Sequence, residues 1–100
     1  MHTVPLKRIT IVAEPVLEER LSADCIQLGA SGFTVSFVHG QGSRGMRASE
    51  LPGEGVKIET IVSADVADRI LERVATHYFP HYAVIAWVTD VAVVRGDKYV

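Results

Sequence analysis

Apolar residues recur along this chain with two periods, near two and near four, and the switches between them predict the order of its elements. Leu6 to Ala13 is rich in β-branched residues and reads as a strand. Glu14-Pro15 then supplies an acidic helix start with proline at a tolerated first-turn position. Leu17, Leu21, Cys25 and Leu28 share one helical face, and Gly29 and Gly32 end the helix. Phe33, Val35 and Phe37 alternate with Thr34 and Ser36, the pattern of a strand with one strongly apolar face. Periodicity stops between His39 and Gly55, where Gly40, Gly42, Gly45, Pro52 and Gly53 crowd a segment too long for a mere connection. Val56, Ile58 and Thr60 resume a strand through about Val62. Ser63 is placed to cap a second helix whose buried stripe is Ala67, Ile70, Leu71 and Val74, with Asp65 and Asp68 near its positive end. That helix ends near His77, ahead of Pro80. Tyr82 to Thr89 reads as a strand apolar on both faces, which Val91 to Arg95 either extends or follows as a short extra strand.

The order strand, helix, strand, loop, strand, helix, strand predicts one domain over residues 1–100, an α+β sandwich of the ferredoxin-like βαββαβ kind. In that fold both helices cover one sheet face. The last strand is nevertheless apolar on both sides, so the open face is expected to be covered by other copies of the chain, packed through their sheets.

Composition narrows the classes of function. One hundred residues exclude an enzyme with separate cofactor and substrate lobes, and a formal charge of -2 gives no broad basic field for nucleic acid. The strand from Val56 to Val62 carries no aromatic pair for stacking RNA bases. A single cysteine, Cys25, excludes an internal disulfide, and no apolar run is long enough to span a bilayer, so a cytoplasmic protein without membrane insertion is expected.

The strongest chemical signal is His39-Gly-Gln-Gly-Ser-Arg-Gly-Met-Arg47. Its glycines let backbone N–H groups approach an anion, Ser43 adds a hydroxyl, and Arg44 and Arg47 bring forked cationic donors suited to phosphate. The spacing is not that of a Walker loop, and a surface loop with solvated arginines stays open as the alternative. His77 and His81 lie four apart, but Pro80 interrupts the turn that would align them, so no metal site is expected. Cys25 falls on the apolar stripe of the first helix and reads as a buried thiol. The acids Glu14, Glu50, Glu54 and Glu59 are scattered, and no catalytic residue is assigned. A small acyl-phosphate hydrolase of the same fold is the rival reading, although acylphosphatases place their anion loop after the first strand rather than the second.

Thr-Ile-Val-Ala-Glu at the end of the first strand, Gly-Ala-Ser-Gly-Phe-Thr-Val at 29–35, Gly-Gln-Gly-Ser-Arg-Gly-Met-Arg at 40–47 and Val-Lys-Ile-Glu at 56–59 together resemble PII-like signalling proteins. Within them the Gly-x-Gly-Ser-Arg-x-x-Arg loop is most similar to the carboxysome-associated and bicarbonate-transporter-regulating branch. The resemblance implies a non-enzymatic homotrimer with its sheets facing inward, adenine nucleotides in clefts between subunits, and a mobile T-loop at about 40–55 that contacts a protein partner in carbon concentration, such as a bicarbonate transporter or carboxysome protein. By match to the motif, Gly40, Gln41, Gly42 and Ser43 would line the phosphate end and Arg44 and Arg47 would pair its charge. The base would rest near Val38 and His39 and, from a neighbouring chain, near Ala83, Val84 and Ile85. Gln41 stands where relatives often carry lysine, which favours AMP or ADP over ATP, with cyclic AMP and bicarbonate as further candidate ligands. Val84 replaces a glycine common near the base. The chain lacks the cysteine-bearing tail of some relatives, so no redox switch of that kind is expected.

Overall fold

The computed structural model describes residues 1–40 and 53–99. Strands β1 (Thr3–Ala13), β2 (Thr34–His39), β3 (Glu54–Val62) and β4 (Val84–Val94) alternate with helices α1 (Glu18–Gln27) and α2 (Ala64–His77) in the predicted order. They form one antiparallel sheet in the order β2-β3-β1-β4, which makes β1 and β3 central and leaves β2 and β4 as edges. This is the ferredoxin-like arrangement.

Strand alternation assigns the faces. Ile9, Ile11 and Ala13 of β1 and Val56, Ile58 and Val62 of β3 point to the side where Leu17, Leu21 and Cys25 and, from α2, Ala67, Ile70 and Val74 complete the core. Each large aliphatic group buried there contributes about 1.5–3 kcal/mol relative to exposure. Helix α1 stops where Gly29 adopts φ 124°, a left-handed conformation that favours glycine, and Ala30 N–H closes the end on Cys25 O at 2.9 Å. Ser63 caps α2 as expected, its Oγ accepting from Val66 N–H at 3.4 Å.

Several boundaries differ from the sequence reading. β1 begins at Thr3, and β4 is a single strand through Val94, because its ladder with β1 runs unbroken from Thr3 opposite Val94 to Ala13 opposite Val84. A short 3-10 turn, Pro15–Leu17, comes between Glu14 and α1. Glu54 and Gly55 belong to β3 rather than to the loop, since they pair with His39 and Val38. The apolar face of β2 also closes less than its pattern suggests. Val35 packs against the core, but Phe37, opposite Val56 on the helix side, is 76% exposed on this outer strand.

The face away from the helices is open. Val12, Thr10, Arg8, Leu6 and Val4 of β1 lie there beside Ile85, Trp87, Thr89, Val91 and Val93 of β4. Ile85 is 58% and Trp87 42% exposed. At its centre Thr10 Oγ1 donates to Glu59 Oε2 at 3.3 Å, and Arg8 Nε lies 3.7 Å from the same oxygen. The final turn, Gly96–Tyr99, covers only the corner at Val4 and Leu6, where a Cβ on Gly96 would stand 2.7 Å from that of Val4.

Candidate functional site

Of the residues singled out by sequence, the described ones, Val38 to Gly40 and Ala83 to Ile85, lie at one end of the sheet. Ser36 pairs with Lys57, Lys57 with Val12, and Val12 with Ile85, so one row crosses all four strands. At this end β2 leaves the sheet, β3 enters it, β1 leaves and β4 enters. Val38, His39 and Gly40 continue past the row from one outer strand, and Ala83, Val84 and Ile85 lead into it on the other. Three strand spacings of about 4.8 Å hold these groups about 14 Å apart. Within one chain they share an end but do not meet.

A narrow neck carries the loop. Gly40 N–H donates to Gly53 O at 2.7 Å, continuing the β2–β3 ladder by one pair. Gly53 has φ 88°, and a Cβ there would stand 2.9 Å from both Gly40 O and His39 Cε1. Any side chain at Gly53 would therefore push His39 off the neck. Gln41, Gly42, Ser43, Arg44 and Arg47, the expected phosphate ligands, lie in 41–52, outside the described residues.

Two residues that sequence reasoning did not assign to this end stand between the outer groups. Glu14 is 6% exposed, and its Oε2 accepts from Ala83 N–H at 2.8 Å. The sequence places it at a helix start, but its side chain makes no cap bond. Beside it, Arg20 of α1 donates to Tyr82 Oη at 3.1 Å and lies 5.1 Å and 5.8 Å from the ring centroids of Tyr78 and Tyr82. Tyr78 donates its hydroxyl to Asp24, which also accepts from Arg73 Nη1 at 3.1 Å. The β1–β4 register, which a single sequence does not display, was the missing signal for Glu14.

The protonation states suit structure rather than acid–base chemistry. Burial, aided by the bond to the Asp24 carboxylate, pushes the Tyr78 phenol up to about 12. Burial likewise pushes the Cys25 thiol up to about 11, with Asp24 adding to the effect, so the thiol stays neutral near pH 7. The Tyr82 hydroxyl bond raises the pKa of Arg20 further. Among the described residues no group of three or more His, Cys, Asp and Glu side chains converges as metal ligands, and no helix is long and apolar enough to cross a membrane.

Solved structures of similar shape exist. A PII-like signalling protein from Thermus thermophilus is 55% identical over 100% of both chains, with a TM-score of 0.87. CPII from Thiomonas intermedia K12, bound to ADP, AMP and acetate, has a TM-score of 0.85 at 20% identity, covering 99% of this chain and 98% of its own. The same protein bound to ADP and bicarbonate gives 0.83 at 24% identity, covering 98% and 97%. The two CPII likenesses carry the fold, whereas the Thermus match extends to more than half of all positions. Residues 6–98 match the nitrogen regulatory protein P-II family, a regulatory rather than enzymatic group. With that match spanning nearly the whole βαββαβ unit, the chain belongs to the P-II family.

Proposed function

We propose that this chain is a PII-like regulatory protein of the cytoplasm that binds adenine nucleotides, AMP or ADP foremost, in clefts between the subunits of a homotrimer. The observation that carries the reading is the division of the site. Val38 to Gly40 and Ala83 to Ile85 lie at the same end of the sheet but on opposite outer strands, so a neighbouring chain is needed to bring such groups together. The open face supports the assembly, because Ile85 and Trp87 gain burial only when another sheet covers them. CPII, which shares the fold, binds ADP, AMP and bicarbonate.

In this reading Gly40, Gln41, Gly42 and Ser43 hold the phosphates, and Arg44 and Arg47 neutralise them. Bicarbonate is a co-ligand at the same cationic loop. The loop passes the signal by population shift: ligand favours one arrangement of residues 41–52, and a partner protein in inorganic carbon uptake or carboxysome function reads it. The match to a regulatory family leaves the acyl-phosphate hydrolase reading without support.

Calorimetric titration with AMP, ADP, ATP and cyclic AMP, with and without bicarbonate, tests the proposal. The expected result is saturable binding strongest for AMP or ADP, weakened by on the order of a hundredfold in Arg44→Ala plus Arg47→Ala, as for loss of two charge-assisted contacts. Absence of nucleotide binding, or binding unchanged in the double variant, would overturn it.

A further inference from the structure

Glu14 and Arg20 have no part in the ligand contacts just described, yet their bonds converge on the junction between α2 and β4. Beyond the end of α2 the chain turns tightly, with His81 N–H and Tyr82 N–H donating to Tyr78 O at 3.0 and 2.9 Å, and then enters β4 through Ala83. Two side chains from the β1–α1 region fasten that turn. Arg20 spans the Tyr78 and Tyr82 rings, whose centroids are 6.1 Å apart, and Glu14 takes the Ala83 amide directly before the first residue of the strand.

The chemistry of this clasp is unusual for simple cohesion. Glu14 is a buried carboxylate that forms no ion pair among the described residues, and burying such a group is costly. Arg20 is solvent-exposed, where its cation–π and hydrogen bonds add little to global stability. Both act on one place. Ala83 lies just past the last β1–β4 ladder pair, Ala13 and Val84, so the Glu14 carboxylate supplies the acceptor the ladder no longer provides.

We propose that Glu14 and Arg20 are positioning residues of the ligand site, fixing the 78–82 turn and the Ala83 amide so that Ala83 to Ile85 meets the adenine end of a nucleotide in one backbone geometry. The proposal rests on the nucleotide reading above. It adds two residues that touch no ligand and act through the backbone of a third.

The test compares wild type with Glu14→Ala, Glu14→Gln and Arg20→Met, using ADP as probe and hydrogen exchange of the ligand-free proteins as a second readout. Glutamine keeps an oxygen for the Ala83 amide; alanine does not. ADP affinity should fall about tenfold in Glu14→Ala, the scale of one lost charge-assisted bond, and stay within about threefold of wild type in Glu14→Gln. Arg20→Met should weaken ADP several-fold while shifting the melting temperature little. Exchange at residues 83–85 should quicken in Glu14→Ala and return toward wild type in Glu14→Gln. Unchanged exchange in Glu14→Ala, or equal ADP loss in both Glu14 variants, would overturn the proposal. If wild type binds no ADP while the exchange pattern holds, the nucleotide reading and the positioning role fall together and only a structural clasp remains.

Discussion

On the helix-covered face of the sheet Ile9, Ile11 and Ile58 are 0% exposed, whereas on the opposite face Ile85 and Trp87 keep 58% and 42% of their surface. The same four strands build both faces. The covered side is completed by Leu17, Leu21, Ile70 and Val74 from the chain's own helices, while the open side mixes exposed apolar groups with the Arg8–Glu59–Thr10 polar cluster. A single chain thus finishes one core and leaves an apolar strand uncovered, the pattern of a fold whose second face is an interface.

Substitutions on the two faces should separate folding from assembly. The largest effect is expected on the covered side, where Ile58→Ala removes a fully buried side chain and should cost about 2–5 kcal/mol in denaturant unfolding. Loss below about 1 kcal/mol would mean that the core is looser than its burial implies. Trp87→Glu, on the open side, should leave helical circular dichroism intact but weaken self-association by about thirtyfold or more, as for an interface hot spot. Unaltered sedimentation of that variant would remove the interface from this face.

Smaller effects probe the covered side at its margin. Tyr78→Phe deletes a hydroxyl donated to Asp24 and should cost about 1–2 kcal/mol. The phenol's pKa is raised on folding, from an ordinary value near 10 to about 12, so its contribution is complete below pH 10 and is lost as pH rises through about 12. Spectroscopic titration of the wild type should accordingly show a late-ionising phenol that is lost in Tyr78→Phe. Ser63→Ala should be mildest, about 0.5–1 kcal/mol of thermal stability, because the cap bond is long at 3.4 Å.

The contrast between faces was partly written in the sequence. Leu17, Leu21 and Cys25 at helical spacing, and Ile70 with Val74, announced the buried stripes, and Ile85 beside Ala86 announced a strand apolar on both sides. Phe37 shows the limit. Its alternation with Ser36 marks a face correctly, but whether that face is covered depends on how far the helices reach over β2, which periodicity does not encode. The site was legible in the same uneven way. His39 and Gly40 stood out by their glycine-rich continuation, whereas Val38 and Ala83 to Ile85 entered only through family resemblance. Glu14 was visible only as an acid before a proline, since its bond to Ala83 joins positions sixty-nine residues apart and depends on the β1–β4 register.

If each nucleotide site takes its loop from one chain and its strand start from another, two chains disabled in different halves should complement each other. Arg44→Ala plus Arg47→Ala disables the loop half, and Ala83→Tyr crowds the strand-start half; each protein alone should bind ADP on the order of a hundredfold more weakly than wild type. Unfolded together in equal amounts and refolded, with mixed trimers confirmed by mass, the whole population should recover about a quarter of the wild-type sites, the share in which random assortment places two intact halves at one interface. Mixed trimers that bind ADP no more tightly than either parent would contradict the claim, because a site contained within a single chain gains nothing from its neighbours.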